Sequence, residues 1–116
     1  MQIKAAFAAI LFSTMNKVRY TETIGEFDRL SIEFTKHKGK ILKFVVQFYS
    51  LIDGQYRDIM RIDNYHGTYP HIHKYYYKRK QFKEQLSIDN PNEAFNYAKK
   101  FIKNNAETIK ENFFNK

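Results

Sequence analysis

Between Asp28 and Leu86 apolar residues recur mostly at every second position, the period of strands with one buried face. Leu30, Ile32 and Phe34 alternate with Ser31, Glu33 and Thr35, which predicts a half-exposed strand. A basic turn, Lys36-His37-Lys38-Gly39-Lys40, leads into a strand over residues 41–51. Its Leu42, Phe44, Val46 and Phe48 form one apolar row, and Val45 and Tyr49 in the other row predict a central strand covered on both sides. Asp53-Gly54 is a two-residue hairpin signal, because both positions tolerate the positive φ of a type I′ turn. Further strands follow over residues 55–64, over 71–78 after the loop 65–70, and over 81–86 after Lys78-Arg79-Lys80; an earlier strand at 18–24 ends at Gly25.

The period then changes. Asn90 supplies an N-cap, Pro91 the first helical position and Glu93 the third, the spacing of a capping box. Ala94, Phe95, Ala98, Phe101, Ile102, Ile109 and Phe113 recur mostly at steps of three and four, an apolar stripe suited to a sheet, and Lys99, Lys100, Lys103 and Lys110 fall off it. The pattern predicts an α+β fold: an antiparallel meander of four to five strands packed by a C-terminal amphipathic helix.

At 116 residues and 14.0 kDa the chain suits one domain, and 43% apolar with 17% aromatic content excludes wholesale disorder. The absence of cysteine excludes disulfide frameworks, thiolate metal sites and cysteine nucleophiles. The longest apolar run, residues 5–12, is under half the ~20 residues of a membrane span, so no transmembrane helix is expected. Residues 1–15 read as a weak signal-like segment, as an extension upstream of a start at Met15, or as a short helix over a sheet edge. They are set apart from a single domain over 16–116, expected in the cytoplasm.

Charge sharpens the picture. The net charge is +8, and residues 36–84 hold eleven basic against four acidic groups, or +7 of it. Lys74, Lys78, Arg79, Lys80 and Lys83 interleave with Tyr65, Tyr69, Tyr75, Tyr76 and Tyr77, and no carboxylate lies between Asn64 and Lys83. Cations beside aromatic rings suit single-stranded nucleic acid, where phosphates pair with Lys and Arg while bases stack. Strand packing and protection of sheet edges produce the same composition. On the nucleic-acid reading Lys74, Tyr75, Tyr77, Lys78, Arg79, Lys80 and Lys83 form the binding hairpin.

The same region holds a polar cluster. His66, His71 and His73 lie within eight residues, and Arg61 and Asp63 share one face of the preceding strand. Metal-independent RNA cleavage needs a base, an acid and a cation on the phosphate; these histidines with Arg61 and Asp63 fill those roles without a cofactor. Alternatively, Asp63, His66, His71 and His73 form a metal-ligand set. Register decides between function and structure for part of the cluster. A tight hairpin at Asp53-Gly54 puts Arg61 opposite Val46 and Asp63 opposite Phe44, on a largely apolar face suited to a structural ion pair.

The segments Phe44-Val45-Val46-Gln47-Phe48-Tyr49-Ser50-Leu51-Ile52-Asp53-Gly54, Arg61-Ile62-Asp63-Asn64-Tyr65-His66-Gly67, Pro70-His71-Ile72-His73 and Asn92-Glu93-Ala94-Phe95 resemble a family of small, uncharacterised prokaryotic proteins. More distantly they are similar to the TumE-type toxins of toxin–antitoxin modules, which share an Arg-x-Asp-Asn turn followed by Pro-His segments. The closer resemblance implies a sheet-plus-helix fold; the more distant one implies a toxin acting on RNA, with an antitoxin protein as partner, and touches Arg61, Asp63, Asn64, His66, Gly67, His71 and His73. Two functions follow as expectations: a toxin-like ribonuclease, and a non-catalytic nucleic-acid-binding module. Exposed sheet edges and Phe113-Phe114 are compatible with a homodimer.

Overall fold

Six strands follow one another and pair in chain order as one open antiparallel sheet: β1 (Met15–Thr23), β2 (Asp28–His37), β3 (Lys40–Ile52), β4 (Gln55–Asp63), β5 (His71–Lys74) and β6 (Phe82–Gln85). One helix, α1 (Pro91–Asn115), follows. This is a computed structural model that describes residues 15–65, 69–78 and 80–115; the extension expected at the N-terminus lies outside them except for Met15, which opens β1.

The fold is α+β, as the periodicities require, with six strands among the described residues rather than four to five. β1 is a full strand that pairs with β2 along its whole length. The strand expected over 71–78 ends at Lys74: the Tyr75 amide still reaches the carbonyl of the unpaired β4 residue Ile59 (3.2 Å), and the chain then leaves the sheet for the helix, where the Tyr77 amide donates to the Phe113 carbonyl (2.9 Å). The hairpin at Asp53-Gly54 has both residues at positive φ (53° and 79°), the backbone that a type I′ turn needs and that Gly adopts without cost.

α1 covers one face of the sheet. Its Ala94, Phe95, Ala98, Ile102, Ile109 and Phe113 are buried against Leu30, Ile32, Phe44, Val46, Phe48 and Ile62. Phe95 seats its ring 5.1 Å from Phe34 and 5.5 Å from Phe44. The helix start is fixed twice, since Asn90 Oδ1 accepts from the Glu93 amide (3.1 Å) and Asn92 Oδ1 from the Ile41 amide (3.0 Å). Further along, Asp28 takes the Ser50 hydroxyl (2.7 Å) and pairs with Lys110 (3.0 Å). The backbone leaves helical geometry at Asn105 (φ −126°, ψ 18°), whose Nδ2 donates to the Phe101 carbonyl (2.8 Å).

The second face is different. Val45, Gln47 and Tyr49 of β3 are half-buried there, and among the described residues no helix lies over them. The expectation of a central strand covered on both sides is therefore corrected: the apolar alternate row of β3 sits within an open, largely polar sheet face. Leu42 also leaves the apolar row, because the β2–β3 register shifts at Thr35/Lys36 and buries Ile41 instead. Among the described residues no helix is long and apolar enough to cross a membrane.

Candidate functional site

One extra residue sets the chemistry of the open face. From the hairpin, Ile52 pairs with Gln55 and Tyr49 with Asp58, but Phe48 pairs with Met60, so Ile59 is left over as a β-bulge. Each β4 residue beyond it changes face. Arg61 therefore lies opposite Gln47 and Asp63 opposite Val45, not Val46 and Phe44. The bulge turns the pair away from the helix and onto the open face, where β5 sets His73 beside Arg61 and His71 beside Asp63.

Three of these side chains touch. Arg61 Nε donates to Asp63 Oδ2 (3.0 Å), His73 Nε2 lies 3.3 Å from the same oxygen, and Arg61 Nη2 lies 3.4 Å from His73 Nε2. Asp63 Oδ1 accepts from the Tyr65 amide (3.2 Å), so the carboxylate is fully engaged. His73 Nε2 accepts from Arg61 when the ring proton is on Nδ1, and donates to Asp63 when it is on Nε2. Burial, and then the Arg61 guanidinium, push its pKa below the ordinary value, against the opposing pull of Asp63 and Gln81. Its Nδ1 is buried without a hydrogen bond of good geometry. His73 thus positions Arg61 and Asp63. Arg61 remains 36% exposed in its side chain and lines, with Val45, Gln47, Asp63 and Tyr65, a shallow depression of about 400 Å³. His71 is half-buried and is the more open histidine of β5.

Asn64 completes the end of β4. Its Oδ1 accepts from the Phe44 amide (2.8 Å) and its Nδ2 donates to the Leu42 carbonyl (3.0 Å), so the side chain extends the β3–β4 ladder. His66 and Gly67 lie outside the described residues, as does Arg79. Among the described residues no three His, Asp or Glu side chains converge as a metal site.

A family model described as a domain of unknown function, DUF7718, matches residues 15–116. The chain belongs to the DUF7718 family. No curated protein matches it, and no solved structure does.

In this DUF7718 domain the basic, Tyr-rich segment is divided between two sides. Lys83 lies opposite His73 and joins the open face. Lys74 pairs with Glu84 (2.8 Å), and both belong to the helix side. Tyr75 is half-buried against the core, and burial raises its pKa. Tyr77 packs on Phe113 and Phe114, donates its hydroxyl to Asp53 (3.0 Å) and lies under Arg57. Lys78 and Lys80 are exposed in the connection. A second cavity, of about 310 Å³, lies between this segment and the far half of α1; its lining includes Lys74, Tyr75, Asn105 and Asn112 but no histidine or carboxylate.

The open face also presents residues that the motif-based reading passes over. Arg29, Tyr49 and Asp58 share one row, Glu33 accepts from Arg19 (2.7 Å) and pairs with Lys17 (3.0 Å), and Lys43 donates to the Asn64 carbonyl (3.1 Å). The Arg19 hydrogen bond, with that of Lys17, holds the Glu33 carboxyl below its ordinary pKa. Strict alternation from Gln47 along β2 and β3 is the signal that finds them.

Proposed function

We propose that this domain acts on RNA, cleaving the phosphodiester by acid–base chemistry on the open sheet face. The observation that carries the reading is a half-exposed Arg61, pinned by Asp63 and His73, with His71 one row away on the same uncovered face. A guanidinium already anchored at Nε loses little freedom on meeting an anionic oxygen and offers its remaining N–H groups to phosphate. His71 takes the proton of the 2′-hydroxyl; that oxygen attacks phosphorus, the bond to the 5′-oxygen breaks, and a 2′,3′-cyclic phosphate results. The leaving oxygen needs a proton, and the sequence supplies His66 between β4 and β5 as its donor. The role of a toxin paired with an antitoxin, implied by the TumE resemblance, belongs to the same proposal.

A second reading, binding without cleavage, is favoured by one observation: both carboxylate oxygens of Asp63 and the Nε2 of His73 are taken up by each other, by Arg61 and by the Tyr65 amide. A labelled RNA and the same strand with 2′-deoxyribose throughout separate the two. Cleavage is expected for RNA alone, with cyclic-phosphate ends. Binding of both strands without any cut would leave the second reading.

A further inference from the structure

Beside the Arg61 row the open face carries a second feature, at the end nearer the Asp53-Gly54 turn. Tyr56 is 50% exposed, and its ring makes an edge contact with Tyr49 (centroids 5.9 Å, interplanar 81°). The Arg29 guanidinium lies 5.7 Å from the Tyr56 ring centre and is itself held by the carbonyls of Asp28 (3.0 Å) and Gly25 (3.3 Å). Leu51, directly opposite Tyr56, is exposed and extends the apolar surface. Neither Tyr56 nor Arg29 belongs to the helix-side core.

We propose that this corner is a base-stacking subsite for single-stranded RNA, an inference that rests on the RNA reading above and adds the form of RNA taken. Rings fixed by neighbours offer a flat surface at little cost in ordering, and unpaired bases of any sequence stack on them. Arg29 supplies a cation for the phosphate attached to the stacked base. Tyr49 follows Gln47 by two residues along β3, Leu51 opposite Tyr56 follows by four, and Gln47 is opposite Arg61. At the rise of a strand the Tyr49 row lies ~7 Å and the Tyr56 row ~13 Å from the Arg61 row, of the order of one to two extended nucleotides. The intervening Asp58 accepts from Gln47 Nε2 (2.6 Å), which fixes its side chain along the sheet. Bases inside a duplex are stacked on each other and cannot use the rings, so the corner selects single strands. A cation stands at each end of the path, Arg29 at the corner and Arg61 beyond it, and the Asp63 carboxylate is paired with Arg61 within the protein.

The test reads binding apart from cleavage. A short labelled single-stranded RNA, blocked with 2′-O-methyl groups, and the same strand annealed to its complement are titrated with wild type, Tyr56→Ala and Tyr56→Phe. Tyr56→Ala is expected to weaken single-strand binding about tenfold, Tyr56→Phe to keep it within about twofold, and duplex binding to stay unchanged. Equal single-strand affinity for wild type and Tyr56→Ala, equal losses on both ligands, or a Tyr56-dependent self-association with RNA affinity unaltered would overturn the inference. A wild type that binds the blocked strand through Tyr56 yet cuts no RNA keeps the subsite and overturns cleavage. A wild type that cuts RNA while Tyr56→Ala binds unimpaired does the reverse, and one that binds no RNA overturns both.

Discussion

Asp63 holds Arg61 from two positions along the same strand, through a 3.0 Å bond to Nε, while Nη2 at the far end of the guanidinium lies 3.4 Å from His73 Nε2. The carboxylate is almost wholly buried and the guanidinium is partly open, so the pair is asymmetric: one partner anchors, the other presents. Asp63→Asn keeps the shape and removes the charge. It is expected to release Arg61, lower RNA cleavage by about tenfold or more, and cost ~1–3 kcal/mol of stability. Urea unfolding and single-turnover cleavage check both; a variant unchanged in either would show that the anchor is idle.

The Ile59 bulge decides which face Arg61 and Asp63 occupy. Deleting Ile59 restores strict pairing and drives both charges under α1 while turning Ile62 outward. The deletion is expected to abolish cooperative unfolding in urea. Ile59→Ala, which keeps the extra residue but empties a fully buried site, is expected to fold with a loss of ~2–4 kcal/mol. A stable deletion variant with intact RNA binding would contradict the register.

His73 gives the protein a pH dependence with a definite sign. Its folded pKa lies below the ordinary value, so on acidification the unfolded chain takes up a proton that the native state resists. The protein is expected to lose stability as pH falls below about 6.5 towards the lowered native value, with no further loss from this group beneath that value. Unfolding midpoints of wild type and His73→Gln between about pH 7 and pH 5 measure it; the variant is expected to show the flatter profile.

Asn64 substitutes for backbone at the end of the β3–β4 ladder. Asn64→Ala leaves the Phe44 amide and the Leu42 carbonyl without those partners and is expected to cost ~2 kcal/mol. Asn64→Asp keeps the acceptor, sets an anion against the Leu42 carbonyl and is expected to be at least as harmful. Thermal unfolding distinguishes these from neutral surface changes.

Much of this was legible in the sequence, and the misses share a cause. Period two marked β2 to β4, the Asp53-Gly54 turn and the Asn90 cap announced themselves, and the stripe from Ala94 to Phe113 placed the helix. The only trace of the bulge was the adjacent apolar pair Ile59-Met60, because both residues are buried where a regular strand would alternate. Without it Arg61 and Asp63 counted to the wrong face. The run Tyr75-Tyr76-Tyr77 read as strand because aromatic residues favour sheets, yet the Tyr77 amide bonds the Phe113 carbonyl of the helix and draws the backbone away. Tyr56 and Arg29, far apart in sequence, meet only through the pairing of β2, β3 and β4.

The central claim is that the open face carrying Arg61 and His71 cleaves RNA, and His71→Ala tests it most directly. His71 is half-buried at a surface position, so the variant is expected to unfold within ~1 kcal/mol of wild type. Single-turnover cleavage of a labelled single-stranded RNA is expected to fall by about a hundredfold or more in the folded variant, with binding of the 2′-O-methyl strand retained. Cleavage by His71→Ala at the wild-type rate, or no cleavage by either protein, would contradict it.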